Sequence, residues 1–161
     1  MSRSGIGYDA HPLVLNRPLV LGGIEIPNDK GLDGHSDGDV AIHAIIDALL
    51  GAAALGVIGT HFNAADPKYP EGISSLTLLA KTVQMLKEHG WQVENLDVTI
   101  VAESPKLSPY IQPMRDAVSS TTRIDLERIS FKATTTDGMG YTGSGIGIIG
   151  IAVASIDRSN V

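Results

Sequence analysis

The segment that most constrains this chain is residues 34–43, GHSDGDVAIH, where a polar, glycine-broken loop runs into an apolar helix. Asp39 falls in the predicted first turn, where a carboxylate meets unpaired backbone amides and the positive end of the helix dipole. His43 lies one turn further along the same face, and Asp47 lies one turn beyond it. Flanking carboxylates can fix the ring orientation of a histidine, as metal-binding histidines require. Taken alone, the segment is still explained better by an ordinary amphipathic helix with solvated acids.

The composition of the 161-residue chain narrows the class of protein. Hydrophobic residues make up 43% and charged residues 19%, which predicts one globular domain over residues 1–161. An aromatic content of 4% and a net charge of −6 argue against a nucleic-acid partner. The absence of cysteine excludes disulfides and thiolate metal sites, and it fits a reducing compartment. Because no leader or membrane-spanning pattern is present, we expect a cytoplasmic protein that does not bind membranes.

The predicted elements alternate between strands and helices. Glycine, proline and hydrophobic periodicity predict a strand at 6–10, a two-stranded ribbon at 13–27 that breaks near Gly22-Gly23, and strands at 96–103, 129–136 and 146–156. Helices are predicted over 39–55, from a cap at Ser74 or Ser75 to Glu88, and from Ser108-Pro109 onward, with loops at 28–38 and 60–73. This order indicates an α+β fold, a two-layer α/β sandwich with a mixed β-sheet and helices on one face.

Residues 145–150, GIGIIG, match the dinucleotide-binding fingerprint GxGxxG letter for letter. That fingerprint requires a following helix and an acidic residue about 20 positions later, within a βαβ unit of ~30 residues. A β-rich run follows here instead, and we reject the dinucleotide interpretation. We expect these glycines to allow close packing of another strand or subunit.

Asp9 and His11 form a second chemical element. Positions i and i+2 of a strand point to the same side, so the carboxylate and the imidazole can converge. This spacing alone is weak, but His43 on a rigid helix adds a second imidazole. Three protein ligands with an open fourth position are typical of catalytic zinc. His35 remains a candidate functional residue, but not as a metal ligand.

A third element is residues 132–138, KATTTDG, which offers hydroxyls, backbone amides and one carboxylate. Such groups can hold phosphate oxygens and a magnesium ion. A threonine-rich strand end with an Asp-Gly turn explains the segment at least as well. An acidic protein with a polyanionic substrate would nevertheless require metals, and these elements could supply two metal sites.

Five motifs stand together along almost the whole chain: Asp9-x-His11, HSDGDV at 35–40, DALLGAAALG at 47–56, KATTT at 132–136 and GYTG at 140–143. In combination and spacing they resemble the 2-C-methyl-D-erythritol 2,4-cyclodiphosphate synthase family of non-mevalonate isoprene biosynthesis. The resemblance implies a lyase that assembles as a homotrimer, with active sites between neighbouring subunits. In the implied reaction, the 2-phosphate of 4-diphosphocytidyl-2-C-methyl-D-erythritol 2-phosphate attacks the β-phosphate, expels CMP and closes the cyclodiphosphate.

The resemblance also implies roles for individual residues. It implies Asp9, His11 and His43 as zinc ligands, and Asp137, at the family's usual glutamate position, as the holder of a second divalent cation, magnesium or manganese. His35 and Thr135 would be the catalytic groups that stabilise the transition state. The implied substrate contacts are Ser36, Ile58, Gly59, Phe62, Asp66 and Tyr141, with a cytidine pocket from the adjacent subunit formed by Ala102, Pro105, Lys106, Leu107, Ala133 and Thr134.

The chain departs from the family pattern at several positions. Val57 stands where the family usually carries an acid, and residues 62–66 read FNAAD, including Ala64, where FPDTD is usual. Ser144 and Ile146 replace the usual arginine and glutamate. Because the three metal ligands are intact, we expect the chemistry to survive. The alternative is a catalytically impaired homologue that keeps the metal site and serves as a scaffold or binding protein.

Overall fold

A five-stranded sheet carries the helices on one of its faces in the computed structural model of the chain, which describes residues 1–158. The strands are β1 (Arg3–Leu15), β2 (Leu19–Leu21), β3 (Ile24–Ile26), β4 (Lys30–Leu32), β5 (Trp91–Val101), β6 (Ile129–Thr134) and β7 (Gly147–Arg158). The helices are α1 (Val40–Ala52), α2 (Ile58–His61), α3 (Ser75–Glu88), α4 (Ile111–Thr122) and α5 (Gly140–Gly143), with 3₁₀ turns at Ser108–Tyr110 and Leu126–Arg128. Within the described part of the chain, none of these helices is long and apolar enough to cross a membrane.

The sheet is mixed, as the sequence predicts. Its strand order is β4-β1-β7-β5-β6, and only the β5–β6 pair is parallel. The predicted ribbon is confirmed in its second half, where β2 and β3 form a separate hairpin around Gly22-Gly23. The α+β class with a mixed sheet is therefore confirmed.

Helix α1 lies directly on the sheet because three glycines face it. A Cβ atom at Gly5, Gly7 or Gly150 would lie 2.1, 1.8 or 2.2 Å from a backbone carbonyl oxygen of α1. Only residues without a side chain allow this backbone-to-backbone approach. The prediction that Gly150 faces another strand or subunit is thus wrong, since the neighbour at this position is the first turn of α1. Gly147 does face a strand, where its Cβ would lie 2.8 Å from the carbonyl oxygen of His11.

The opposite face of the sheet carries apolar side chains that are largely exposed in the single chain. Alternate residues of β1 point away from α1, and Ile6 and Tyr8 are 71% and 55% exposed. Val153 on the neighbouring strand β7 is 41% exposed. The two faces of the sheet therefore differ: one packs on the helices, and the other presents apolar residues outward.

Several predicted boundaries and loops are wrong. The predicted loop at 28–38 contains β4, which pairs with the end of β1 that the sequence assigned to the ribbon. The predicted loop at 60–73 overlaps α2, and the helix from 39 ends at Ala52 instead of Leu55. Strand β5 begins at Trp91, five residues before the prediction. The short elements were missed because three or four residues gain their regularity from partners distant in sequence, which local patterns do not record.

Asp39 is the N-cap residue of α1, as its position predicts. Its buried carboxylate accepts hydrogen bonds from the amides of Ala41 and Ile42, and also from those of Gly22 and Gly23 in the β2–β3 turn. Burial raises the pKa of this carboxyl to about 6, with a smaller contribution from the charge of Asp37. The side chain thus connects the hairpin to the start of α1 and fixes where the helix begins.

Candidate active site

Asp9, His11 and His43 converge between β1 and α1. The odd-numbered residues of β1 face the helix, so Asp9 and His11 point to the same side as Gly7. The shared ligand atom is Asp9 Oδ2, which lies 3.0 Å from His11 Nε2 and 2.9 Å from His43 Nδ1. One ligand atom from each residue lies within 4.8 Å of the other two. The three residues therefore form a candidate metal-binding group.

The remaining ring nitrogens of both histidines have protein partners. His11 Nδ1 is hydrogen-bonded to the carbonyl oxygen of Asp33. His43 Nε2 lies 3.0 Å from Ser36 Oγ and 2.9 Å from Ser75 Oγ. Such partners fix the tautomer and orientation of metal-ligating imidazoles.

The expectation that Asp39 and Asp47 orient the ring of His43 is wrong. The carboxylate of Asp39 accepts its hydrogen bonds from four backbone amides, two in the β2–β3 turn and two in the first turn of α1. Asp47 Oδ1 accepts a hydrogen bond of 2.7 Å from the amide of Ile58, the first residue of α2. Both acids therefore cap helix N-termini, where unpaired amides attract them more strongly than a ring on the same helix face.

The electrostatics of the group fit a divalent cation. Burial raises the pKa of Asp9, but hydrogen bonds from His11 and His43 outweigh it, so the pKa lies well below its usual range. The hydrogen bond to Asp9 raises the pKa of His11, against the smaller opposing effect of burial. Two imidazole nitrogens and one carboxylate oxygen, with sites close enough to share one ion, match the donor set that zinc prefers. The residues present thus fit the metal that the resemblance implies.

A cavity of about 220 Å³ opens beside the three candidate ligands. Besides those ligands, the predicted site residues that line it are His35, Ser36, Ile58, Gly59 and Phe62. His35 Nε2 donates a hydrogen bond of 2.8 Å to the carbonyl oxygen of Tyr69, which fixes the orientation of an otherwise exposed ring.

Asp66 was also predicted to contact substrate, but it is not among the residues lining this cavity. Its Oδ1 instead accepts a hydrogen bond from the amide of Lys68 within its own loop.

A second cavity of about 370 Å³ lies at the carboxyl ends of β5 and β6. Its lining includes all six residues predicted for the cytidine pocket, together with Thr135: Ala102, Pro105, Lys106, Leu107, Ala133, Thr134 and Thr135. Asp137 follows in a left-handed conformation with φ of 52° and is linked to Thr135, whose hydroxyl accepts a hydrogen bond of 3.3 Å from its amide. This part of the chain therefore brings together threonine hydroxyls, the carboxylates of Glu103 and Asp137, and an apolar cavity wall.

The two cavities lie apart in one chain. The metal-binding group is on β1 and the second cavity is on β6, and these strands are three neighbours apart in the sheet order. At about 4.8 Å per strand, that separation is ~14 Å. Tyr141 lines neither cavity; its hydroxyl is hydrogen-bonded at 2.8 Å to the hydroxyl of Tyr8 on the uncovered face. A single chain thus holds the two halves of the predicted site without joining them.

Sequence reasoning missed two residues that hold the site. Ser75 was one of two residues predicted to cap the helix; Ser74 is the N-cap residue, and the hydroxyl of Ser75 contacts His43 from a position 32 residues away. Arg17 was not singled out, yet its guanidinium donates hydrogen bonds to the carbonyl oxygens of Gly34 and Ser36 and so braces the loop that carries His35. No local pattern signals either contact, because both depend on how distant segments pack.

Residues 2–157 match the model of the YgbB family. The chain belongs to the YgbB family. Among its relatives in this family, the 2-C-methyl-D-erythritol 2,4-cyclodiphosphate synthase of Clostridium beijerinckii is 51% identical over 155 residues, 96% of this chain and 98% of the relative. The enzyme of the same name from Desulforamulus reducens is 53% identical over 97% of this chain and 99% of its own length.

Solved structures show the same family relationship. A 2C-methyl-D-erythritol-2,4-cyclodiphosphate synthase solved in a CDP-bound form superposes on this YgbB-family chain with a TM-score of 0.89. It shares 34% sequence identity, and the match covers 96% of this chain and all of the other. The resemblance stated from the motifs is therefore confirmed. The relatives support the enzymatic interpretation and give no support to the scaffold alternative.

Proposed function

We propose that this protein converts 4-diphosphocytidyl-2-C-methyl-D-erythritol 2-phosphate to 2-C-methyl-D-erythritol 2,4-cyclodiphosphate and CMP. The observation that carries the proposal is the group of Asp9, His11 and His43, which lines one cavity with His35 and Ser36 in a chain of the YgbB family. In this proposal the protein is a phosphorus–oxygen lyase. We place it in the cytoplasm, which is supported by the lack of cysteine.

The reaction requires one anion to approach another, so its barrier contains charge repulsion and lost freedom of the ligand. Zinc at Asp9, His11 and His43 and a second divalent cation at Asp137 would supply charge neutralisation and alignment for in-line displacement. Holding both ends of the substrate together is proximity catalysis, which can lower a barrier by up to ~7–11 kcal/mol. The reaction needs no protein nucleophile, and we assign none.

The chain's own groups would complete the phosphate site. When protonated, His35 keeps Nε2–H on the carbonyl oxygen of Tyr69 and can offer Nδ1–H to a phosphate oxygen. Ser36, buried beside His43, can offer its hydroxyl to the same anion. Thr135 and the backbone amides near Asp137 would serve the phosphate nearer the nucleotide. Each of these donors would be oriented before the substrate binds.

The first test is turnover by the purified protein. With zinc and magnesium present, we expect release of one CMP per substrate and a cyclic diphosphate identified by mass. The reaction should stop when a chelator removes the metals and resume when they are restored. Protein that holds zinc but releases no CMP would contradict the proposal and support the scaffold alternative.

We also propose that the chain assembles as a homotrimer with active sites between subunits. The uncovered apolar face around Ile6, Tyr8 and Val153 supports this assembly, because water-exposed apolar patches of this kind mark interfaces. The ~14 Å between the two cavities supports shared sites. A neighbouring subunit would bring its second cavity to the metal-binding group of the first.

Subunit exchange tests the shared site. Neither His43→Ala nor Thr135→Ala protein should be active alone, but a 1:1 mixture of subunits should recover activity. If each site combines two subunits, about a quarter of the sites in randomly mixed trimers carry neither change. CMP release near that fraction is the expected result, and light scattering should report a trimer. No recovery after verified exchange would contradict shared sites, and a monomer would contradict the assembly.

A third prediction concerns Val57, which directly precedes Ile58 and Gly59, two residues that line the cavity beside the metal-binding group. The acid usual in the family at this position would accept hydrogen bonds from the erythritol hydroxyls, and valine accepts none. A lost hydrogen bond to a charged group is worth ~1.5–3 kcal/mol, unless water replaces it. Val57→Asp should therefore raise kcat/KM roughly 10- to 150-fold, at ~1.36 kcal/mol per decade, and leave zinc content unchanged. A variant with no gain would show that another residue holds those hydroxyls.

A further inference from the structure

The hydroxyl group of Ser75 lies against a candidate metal ligand of another helix. Ser75 is the first residue of α3 and is fully buried, and its Oγ is 2.9 Å from Nε2 of His43 on α1. His43 as a whole residue is itself only 8% exposed. A buried imidazole nitrogen and a buried hydroxyl at this distance share a hydrogen bond, and its direction depends on where the hydroxyl hydrogen lies.

Asp37 decides that direction. Its carboxylate receives the hydroxyl of Ser75 at Oδ1 and the amide of Ser75 at Oδ2, the latter over 2.9 Å. A carboxylate can only accept hydrogen bonds, so the single hydroxyl hydrogen of Ser75 points to Asp37. The lone pairs of Oγ then face His43, so Ser75 can only accept a hydrogen bond from this ring, and it does so when Nε2 carries the proton.

We propose that Ser75 is a positioning residue of the metal site, which accepts Nε2–H of His43 and so directs the Nδ1 lone pair toward Asp9 and His11. Without a cation, Asp9 Oδ2 at 2.9 Å from Nδ1 attracts the proton to that nitrogen. Coordination requires the proton on Nε2 instead, and Ser75 provides a dry acceptor there. The inference rests on the metal site of the proposed function, and it does not depend on the cyclisation reaction.

Ser36 provides a second, weaker acceptor for the same proton. Its Oγ lies 3.0 Å from His43 Nε2 and also accepts the amide of Gly38 over 3.2 Å. Loss of the Ser75 hydroxyl should therefore weaken the orientation of His43 without abolishing it. When Ser75 takes up Nε2–H, the hydroxyl hydrogen of Ser36 stays free for donation into the cavity.

The test compares Ser75→Ala with Ser74→Ala, using zinc alone as the probe. Ser74 is the neighbouring N-cap residue; it is exposed, and its side chain makes no capping hydrogen bond. Chelator competition should show zinc affinity lowered ~10- to 100-fold in Ser75→Ala and unchanged in Ser74→Ala. In ¹⁵N-labelled, zinc-loaded protein, the His43 Nε2–H resonance should exchange slowly with water in the wild type and broaden in Ser75→Ala. Asp37→Asn should shift both readouts in the same direction, because an amide cannot accept all the hydrogen bonds that the carboxylate does.

The possible outcomes separate this inference from the proposed function. Wild-type protein that binds zinc, together with Ser75→Ala and Asp37→Asn variants of unchanged affinity and unchanged Nε2–H exchange, would overturn the positioning role alone. Wild-type protein that binds no zinc would overturn the metal site and this inference with it. Equal losses in Ser75→Ala and Ser74→Ala would show a helix-capping effect and likewise overturn the role.

Discussion

His43→Ala protein is expected to lose its zinc and at least ~10³-fold of its kcat/KM for CMP release. The ring supplies one of three candidate ligands, and Ala leaves only Asp9 and His11 on a single strand. A metal ion contributes several kcal/mol of charge stabilisation to phosphoryl transfer, and each ~1.36 kcal/mol is tenfold in rate. Elemental analysis of the purified variant should show zinc well below one ion per subunit, and a discontinuous CMP assay measures the loss of rate.

The matched control for this variant is His89→Ala. His89 is exposed at the end of α3, and its Nδ1 is hydrogen-bonded only to the carbonyl oxygen of Met85 in its own helix. Zinc content and rate should stay at wild-type values. If His43→Ala retained full zinc occupancy, His43 would be removed from the ligand set. If His43→Ala protein lost its zinc but kept its rate of CMP release, the proposed role of zinc in the reaction would be wrong, and His43 would still be a zinc ligand.

Gly7→Ala is expected to have the largest effect on stability. The added Cβ would lie 1.8 Å from the carbonyl oxygen of Ala44 and 2.8 Å from the amide of Ala48, both backbone atoms of α1. Neither atom can move without shifting the helix off the sheet, so we expect a destabilisation of at least ~3 kcal/mol, the upper end for overpacking. At about 2–4 °C per kcal/mol for a chain of this size, Tm should fall by ~6–12 °C in calorimetry.

Displacement of α1 in the Gly7→Ala variant should also disturb the metal site. Ala44 follows His43, so a helix displaced from Gly7 carries His43 away from Asp9, whose Oδ2 lies 2.9 Å from its ring in the native protein. Zinc affinity should fall together with Tm. Unchanged stability and unchanged zinc affinity in Gly7→Ala would show that the helix can move outward without cost.

Gly51→Ala provides the control, because Gly51 lies on α1, the helix that packs against Gly7. A Cβ there meets nothing closer than the carbonyl oxygen of Ile6 at 4.0 Å, and Gly51 is exposed. Replacing glycine by alanine in a helix stabilises by ~0.5–1 kcal/mol, so its Tm should rise slightly. A drop in Tm for both variants would indicate that glycine is needed on α1 and β1 for a reason other than close approach.

By itself, the sequence determined the parts of this protein that depend on local rules. The i, i+2 spacing placed Asp9 and His11 on one side of β1, and the side-chain chemistry of Asp39 placed it at the start of α1. Five motifs at characteristic spacing indicated the family. These features depend on backbone periodicity and residue type, which can be read from residues that are close together in the sequence.

Only the tertiary structure decided which groups meet. It turned Asp39 and Asp47 away from His43 and set Ser75 beside that ring instead. It formed β4 from three residues of a predicted loop, and it separated the metal-binding group from the cavity that contains Thr135. The physical reason is that these contacts join residues far apart in the chain. Their geometry is set by how closely α1 approaches the sheet and by which backbone amides remain unpaired after packing, and neither quantity can be read from neighbouring residues.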